Sequence, residues 1–300
     1  AGDLYYTAAM PLTTWDTDRI AELLIEAGHT AFSYYETNRP SFKDDRSIVT
    51  EADKRIEARL AEELDAPEAG VYMIGEETSA QRTEDYLKGA LSGRTWLVDP
   101  IDGTVPYAHR LPHWGVSIGM MDCGRIVEGG IFLPTTGELL LTNGLTDGAE
   151  VLIGRLGCEP ERWKHWDAGR LQRLDYAPRS VPGGGVVSLA QAVIKRGRFT
   201  GEYTIHAVGA CVYSVVTLLT GSIVGYVASV KLWDIAAGVA MFRKLGFCMK
   251  FEDGTPYHGE VDEKSYRLGP DSPKRFAMRA HLFIAPDEAT CDDIIANTHW

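Results

Sequence analysis

The sequence has no apolar run approaching the eighteen or so residues that a membrane helix needs. Its longest candidate, around 212–227, is broken by Ser214, Thr217, Thr220, Gly221 and Ser222, so no membrane span is expected. Cysteine is scarce as well. Cys123, Cys158, Cys211, Cys248 and Cys291 are widely spaced, odd in number and never in a CxxC pair. That pattern argues against a structural zinc site and for reduced thiols, hence for a cytoplasmic protein. Basic charge is in deficit: 30 Lys and Arg face 42 Asp and Glu, a formal charge of -12. Such a surface repels a phosphate backbone, which makes nucleic acid a poor partner. Internal repeats and low-complexity segments are missing too. The opening AGDLYYTAAM has neither the basic start nor the sustained apolar stretch of a secretory signal, and none is expected.

What remains is an ordinary globular composition: 300 residues, 45% hydrophobic, with 31 Gly and 14 Pro. A chain of this size removes about three-quarters of its unfolded surface from water on folding, enough for its own core. Its length suggests two domains, and the charged, Gly-rich and aperiodic stretch after Thr146 suggests the boundary. We divide the chain into an α+β part, 1–146, and an α/β part, 147–300.

Apolar residues at helical spacing (Ile20, Leu23, Leu24, Ala27, Ala31) predict a helix from Trp15 to about Glu36. A second is expected from Thr50 to Leu64, with the stripe Ile56, Leu60, Leu64 and with Thr50 and Asp53 in a capping-box-like arrangement. From Val71 the pattern changes to short apolar runs, VYMIG, TWLVD, HWGVSIGMM, RIVEGGIFL and ELLLTN, which read as strands. Helical spacing returns around Ala207 to Leu219 and again from Asp234 to Leu245, with a strand-like SIVGYVASV between them. The result is a mixed α/β protein with at least two sheets.

The chemistry concentrates at DPIDGT, residues 99–104. In an extended strand Asp99 and Asp102 would face opposite sides, so the strand is expected to end at this point and curl until both carboxylates share one focus. Pro100 and Gly103 permit the bend. Gly103 and Thr104 then offer backbone N–H groups to phosphate oxygens. A haloacid-dehalogenase-type phosphatase would place its two aspartates two residues apart; the spacing of three sets that covalent mechanism aside. Two further acidic sites resemble strand or helix ends: GEET at 75–78 and WDIAAG at 233–238. Taken singly, Glu76 and Glu77 read as solvated loop charges and Asp234 as a helix cap.

With VTEAD at 49–53, these four motifs in order resemble the inositol monophosphatase family, the lithium-sensitive, magnesium-dependent phosphomonoesterases that include fructose-1,6-bisphosphatases. The resemblance spans at least residues 47–246. It implies a layered αβαβα sandwich, often a homodimer, acting on a small phosphorylated metabolite. It further implies Glu76, Asp99, Asp102, Asp234 and the Ile101 carbonyl as ligands of two or three Mg2+ ions, with Mn2+ as substitute. Gly103 and Thr104 would hold the phosphate, and Asp53 with Thr104 and Glu76 would serve the attacking water. An all-oxygen donor set suits such ions and not zinc. Independently of the resemblance, two carboxylates about 4 Å apart repel by roughly 4 kcal/mol at an effective dielectric near 20, so convergent acids call for cations.

The substrate end departs from the family pattern. An acidic residue that contacts a sugar hydroxyl in inositol-specific members is here Val227, and the common Gly-Ser is Gly209-Ala210. His206 replaces an arginine, and 147–185 carries no family motif. His109 and His113 flank Pro112 and read as loop residues; Gly183, Gly184 and Gly185 read as a loop, Lys231 as a solvated lysine ahead of a contact to an anionic substrate, and Trp163 and Trp166 as packing or lid residues. The expected activity is magnesium-dependent hydrolysis of a phosphorylated polyol, sugar or cyclitol. The alternatives are a 3'-phosphonucleotide, histidinol-phosphate or fructose-bisphosphate phosphatase, and, outside the enzymes, a metal-binding regulatory protein without turnover.

Overall fold

The structure, a computed structural model, describes residues 11–35, 41–42, 48–144, 150–179 and 184–300; the opening ten residues, Gly183 and the expected division at 146/147 lie outside them. Helix α1 (Thr17–Tyr35) is followed by a short ribbon, β1 (Ser41–Phe42) with β2 (Ile48–Val49), and by α2 (Glu51–Leu64). The α2 start forms as its sequence predicts: the Thr50 N–H donates to Asp53 Oδ2 at 2.7 Å.

A seven-stranded sheet comes next, its strands lying side by side in chain order. They are β3 (Val71–Gly75), β4 (Arg94–Asp102), β5 (Gly115–Asp122), β6 (Arg125–Leu133), β7 (Glu138–Thr142), β8 (Val151–Arg155) and β9 (Gln172–Arg173). Helix α3 (Glu84–Ser92) crosses between β3 and β4, which are therefore parallel; every other pair is antiparallel. Short helices α4 (Thr104–Ala108) and α5 (Pro160–Trp163) follow β4 and β8. Because β7 and β8 pair across 145–149, the first sheet continues to Arg173, and the expected division at 146 falls inside it.

The second sheet has the order β12-β10-β13-β15-β14. Its part of the chain runs β10 (Val186–Leu189), α6 (Gln191–Arg196), β11 (Arg198–Phe199), β12 (Thr204–His206), α7 (Cys211–Leu219), β13 (Gly225–Ala228), α8 (Leu232–Lys244), β14 (Cys248–Phe251), β15 (Leu282–Ala285), α9 (Glu288–Ala296) and β16 (Thr298–His299), with β11 and β16 paired apart.

Period-two alternation sorts these elements into layers. Trp96 and Val98 of β4 turn one way and pack with Ile20, Leu24, Ile56 and Leu60 of α1 and α2. Leu97 turns the other way, into a core shared with Val215 of α7, Val239 of α8, and Tyr226 and Ile284 of the second sheet. The outer face of that sheet, Val187, Val227 and Phe283, packs on Val193 of α6 and Ile294 of α9. The stack is αβαβα, as the family resemblance implies. Among the described residues no helix is long and apolar enough to cross a membrane.

Candidate active site

The strand carrying Asp99 does not end where the sequence reading stops it. β4 runs on through Asp102, and the register opposite β5 slips: Asp99 pairs with Ser117 but Asp102 with Gly115. Two residues on β4, Pro100 and Ile101, thus oppose one on β5, Val116, a bulge. The extra residue rephases the alternation and puts Asp99 and Asp102 on the same face. Ile101 registers the same shift, since its side chain lies with Trp96 and Val98 and not on the Leu97 side. The focus that the spacing of three demanded comes from a bulge within the ladder, not from a chain that leaves it.

Glu76 follows β3, the parallel neighbour of β4, and its N–H donates to the Val98 carbonyl at 3.2 Å. Glu76 and Asp99 therefore emerge at the same end of adjacent strands. Asp234 reaches them from the first turn of α8, where it accepts the Lys231 N–H at 2.9 Å and the helix dipole favours its negative charge. The helix can come this close because the sheet beneath is bare. A Cβ at Gly129 would lie 2.4 Å from Ala237 Cα, and one at Gly119 would lie 2.7 Å from Ala236 Cβ. The small residues of WDIAAG are thus the packing surface that delivers Asp234. Carboxylate oxygens of Glu76, Asp99 and Asp234 lie within 4.8 Å of one another.

Asp102 faces the same cluster, and its Oδ2 accepts the Val212 N–H of α7 at 2.6 Å. A carboxylate has two oxygens, so this bond anchors Asp102 without spending its capacity as a ligand. Gly103 adopts φ +87°, and a Cβ on it would meet the His113 carbonyl at 2.7 Å and Ala210 Cβ at 2.8 Å. Only glycine fits this turn. The Thr104 hydroxyl donates to the Ile101 carbonyl at 3.2 Å. Asp53 is fully buried and accepts both the N–H and the hydroxyl of Thr50.

Burial first, and then the charges of Glu76, Asp102 and Asp234, push the Asp99 carboxyl well above the usual carboxylate range. Asp102 is raised by burial and the charge of Asp234, against the Val212 N–H. Asp234 is pushed up to about 7 by burial and Glu76, partly opposed by the N–H and charge of Lys231. Three acids that resist ionising side by side form a cage whose charged state needs a cation, and their donors are all oxygen, the set that hard divalent ions prefer.

Several residues sit elsewhere than the sequence suggested. Val227 is completely buried in the outer core of the second sheet, on the face away from the acids. No part of it is left for a substrate. Tyr226, its neighbour, takes the inner face; burial, Cys211 and the charges of Asp102 and Asp234 raise its pKa. Ala210 is buried against Gly103, as the N-cap of α7. Lys231 keeps 36% of its side chain open to solvent, and its Nζ also lies 3.8 Å from Glu76 Oε1. Trp163, by contrast, packs against Phe32 and Phe132 as the sequence suggested. His113 stacks edge-on with Tyr213 at 4.7 Å.

Sequence reasoning missed Glu57. It stands one helical turn beyond Asp53 and is buried; its Oε2 accepts the Glu77 N–H and its Oε1 the Thr78 N–H, each at 2.8 Å. It braces the turn that presents Glu76. The signal was available: a charged residue next to Ile56, on the buried side of an amphipathic helix, needs a polar partner.

A sequence profile described as the inositol monophosphatase family matches residues 15–268. An inositol-1-monophosphatase of Mesorhizobium japonicum is 28% identical over 232 residues, covering 74% of this chain and 79% of its own. Two solved structures share the fold: an IMPase/NADP phosphatase complexed with Mg2+ and phosphate (TM-score 0.62, 17% identity, 93% and 94% of the two chains) and a dual-specific IMPase/NADP phosphatase bound with D-inositol-1-phosphate (TM-score 0.63, 16% identity, 93% and 94%).

Proposed function

The chain belongs to the inositol monophosphatase family and is by that membership a phosphoric monoester hydrolase; we propose that it hydrolyses a small phosphorylated polyol, sugar or cyclitol in a magnesium-dependent reaction. The observation that carries this reading is the approach of the Glu76, Asp99 and Asp234 oxygens to within 4.8 Å of one another, beside Asp102. Those four side chains and the Ile101 carbonyl would hold two or three Mg2+ ions, with Mn2+ as a substitute. Bound there, such ions would neutralise charge on the phosphate, make the attacking water more acidic and stabilise the leaving alkoxide.

The chain's own residues do the rest. The Gly103 and Thr104 N–H groups receive phosphate oxygens, a role that suits the left-handed turn at Gly103. Asp53, held by Thr50, and the Thr104 hydroxyl orient the water and take its proton, with Glu76 contributing from the cage. Water attacks phosphorus in line with the departing alkoxide, and no residue becomes phosphorylated. Ala210 lines the phosphate turn. The D-inositol-1-phosphate held by one of the solved relatives supports a cyclitol phosphate as substrate.

We place the protein in the cytoplasm on the strength of its five free thiols, and as a homodimer on that of its family membership. Light scattering reads the dimer directly. For the activity, the test is phosphate release with Mg2+ from inositol monophosphates, sugar phosphates, 3'-phosphonucleotides, histidinol phosphate and fructose 1,6-bisphosphate. Release from a cyclitol or sugar monophosphate is expected. Silence across the panel would leave a metal-binding protein without turnover.

A further inference from the structure

A cation stands at the acidic cage itself, and the reaction outlined above makes no use of it. The Lys231 Nζ is 3.8 Å from Glu76 Oε1 and 5.1 Å from the centre of the Trp233 ring. Trp233 is buried at 2% exposure, so the ring is a fixed wall beside the ammonium. The backbone at Lys231 is fixed as well: its N–H is committed to Asp234 Oδ2, and the residue bridges to Ala277. The charge therefore rests at the mouth of the cage, between Glu76 and the Trp233 ring, with 36% of the side chain still open to solvent.

We propose that Lys231 is a resident counter-cation that makes divalent-ion loading and phosphate binding depend on each other. The inference rests on the reading that Glu76, Asp99 and Asp234 hold divalent ions. An ion entering between those carboxylates meets a like charge that already shares Glu76, so Lys231 weakens ion binding at that corner while no anion is present. A phosphate dianion is attracted to both cations and offsets their repulsion. Each ligand then binds more tightly in the presence of the other, and linkage requires the effect to be reciprocal. An uncharged side chain at 231 removes the repulsion, so the ion binds tightly alone and phosphate has less to add.

The test is Mn2+ titration followed by electron paramagnetic resonance of the free ion, with and without inorganic phosphate. It compares the wild-type protein with Lys231→Met, Lys231→Gln and Lys231→Arg, each checked for a wild-type thermal unfolding profile. Without phosphate, the two neutral variants should bind Mn2+ at least tenfold more tightly than wild type. The tightening caused by phosphate should shrink by a similar factor, and Lys231→Arg should behave as wild type. Neutral variants with unchanged or weaker Mn2+ affinity, or with the full phosphate effect, overturn the proposal while leaving the cage intact. A wild-type protein that binds no Mn2+ overturns both the proposal and the cage.

Discussion

Glu57 is the residue whose replacement discriminates best between a cage held by design of the surrounding chain and acids that merely happen to be close. In Glu57→Gln one carboxylate oxygen becomes an amide donor, so one of the two N–H groups now received at 2.8 Å faces another donor. Losing one hydrogen bond to a charged acceptor costs about 1.5–3 kcal/mol. Part of that returns, because burial and the nearby charge of Glu76 raise the Glu57 pKa and a neutral group escapes that penalty. A net loss of about 1–2 kcal/mol is expected. Glu57→Ala leaves both N–H groups without a partner and empties the space under Gly75, where a Cβ would come within 2.4 Å of the present carboxylate; about 3–5 kcal/mol is expected. In both variants the 76–78 turn loosens and Glu76 loses its aim. Outer partners of metal ligands typically contribute 10–100-fold to affinity, and the Gln variant should weaken Mn2+ binding by about tenfold. Urea unfolding reads the first quantity and Mn2+ titration the second. A Gln variant with wild-type stability and wild-type Mn2+ affinity would refute the bracing role.

Asp99→Asn should abolish phosphate release while the protein stays folded, since burial already disfavours the charge that is removed; undiminished turnover would contradict the ligand assignment. Gly129→Ala drives a Cβ into the α8 backbone, where 2.4 Å separates it from Ala237 Cα, and should cost about 1–3 kcal/mol in urea unfolding along with a loss of Mn2+ affinity as Asp234 shifts. Val227→Glu, which the sequence alone would cast as a change of substrate preference, buries a carboxylate among Val187, Leu189 and Phe283; it should lower the unfolding temperature sharply and leave the substrate panel unaltered. In metal-free protein, Asp99, Asp102 and Asp234, the last at about 7, keep protons that the unfolded chain has lost. Their stabilising contribution is complete below about pH 4 and is lost as pH rises through each raised folded-state pKa, about 7 for Asp234. His29 and His113, lowered by burial, act in the opposite sense, so the readout is a comparison. Between pH 5.5 and 8 in EDTA, wild type should lose more unfolding temperature than Asp99→Asn, and Mg2+ should restore more at pH 8. Equal losses in the two proteins would contradict the assignment.

Motifs whose chemistry depends on residue type were legible in the sequence. DPIDGT, GEET and WDIAAG each place an acid where an element begins or ends, and the structure brings Glu76, Asp99 and Asp234 to one point. The helices at Thr17–Tyr35 and Glu51–Leu64 followed from periodicity and a cap, both local properties. What stayed hidden depends on neighbours. The β4 bulge exists only against β5, because register is a property of a pair of strands. The substrate position expected for Val227 came from its place in the family pattern, which carries no information on which face of β13 its side chain takes. Lys231 and Glu57 matter through partners 155 and 20 residues away in the chain, and no spacing rule reaches so far. The extent of the first sheet, closed by β8 and β9, was hidden for the same reason: strands of five and two residues pair with a sheet already formed.

The central claim is that acids from separate elements converge to hold hard divalent ions. Its most direct test is an anomalous difference map from a crystal soaked in Mn2+, collected at the manganese edge. Peaks are expected among Glu76, Asp99 and Asp234, within ligand distance of their carboxylates and extending toward Asp102. A map with no peak there, or with manganese only at other surface acids, would contradict the account.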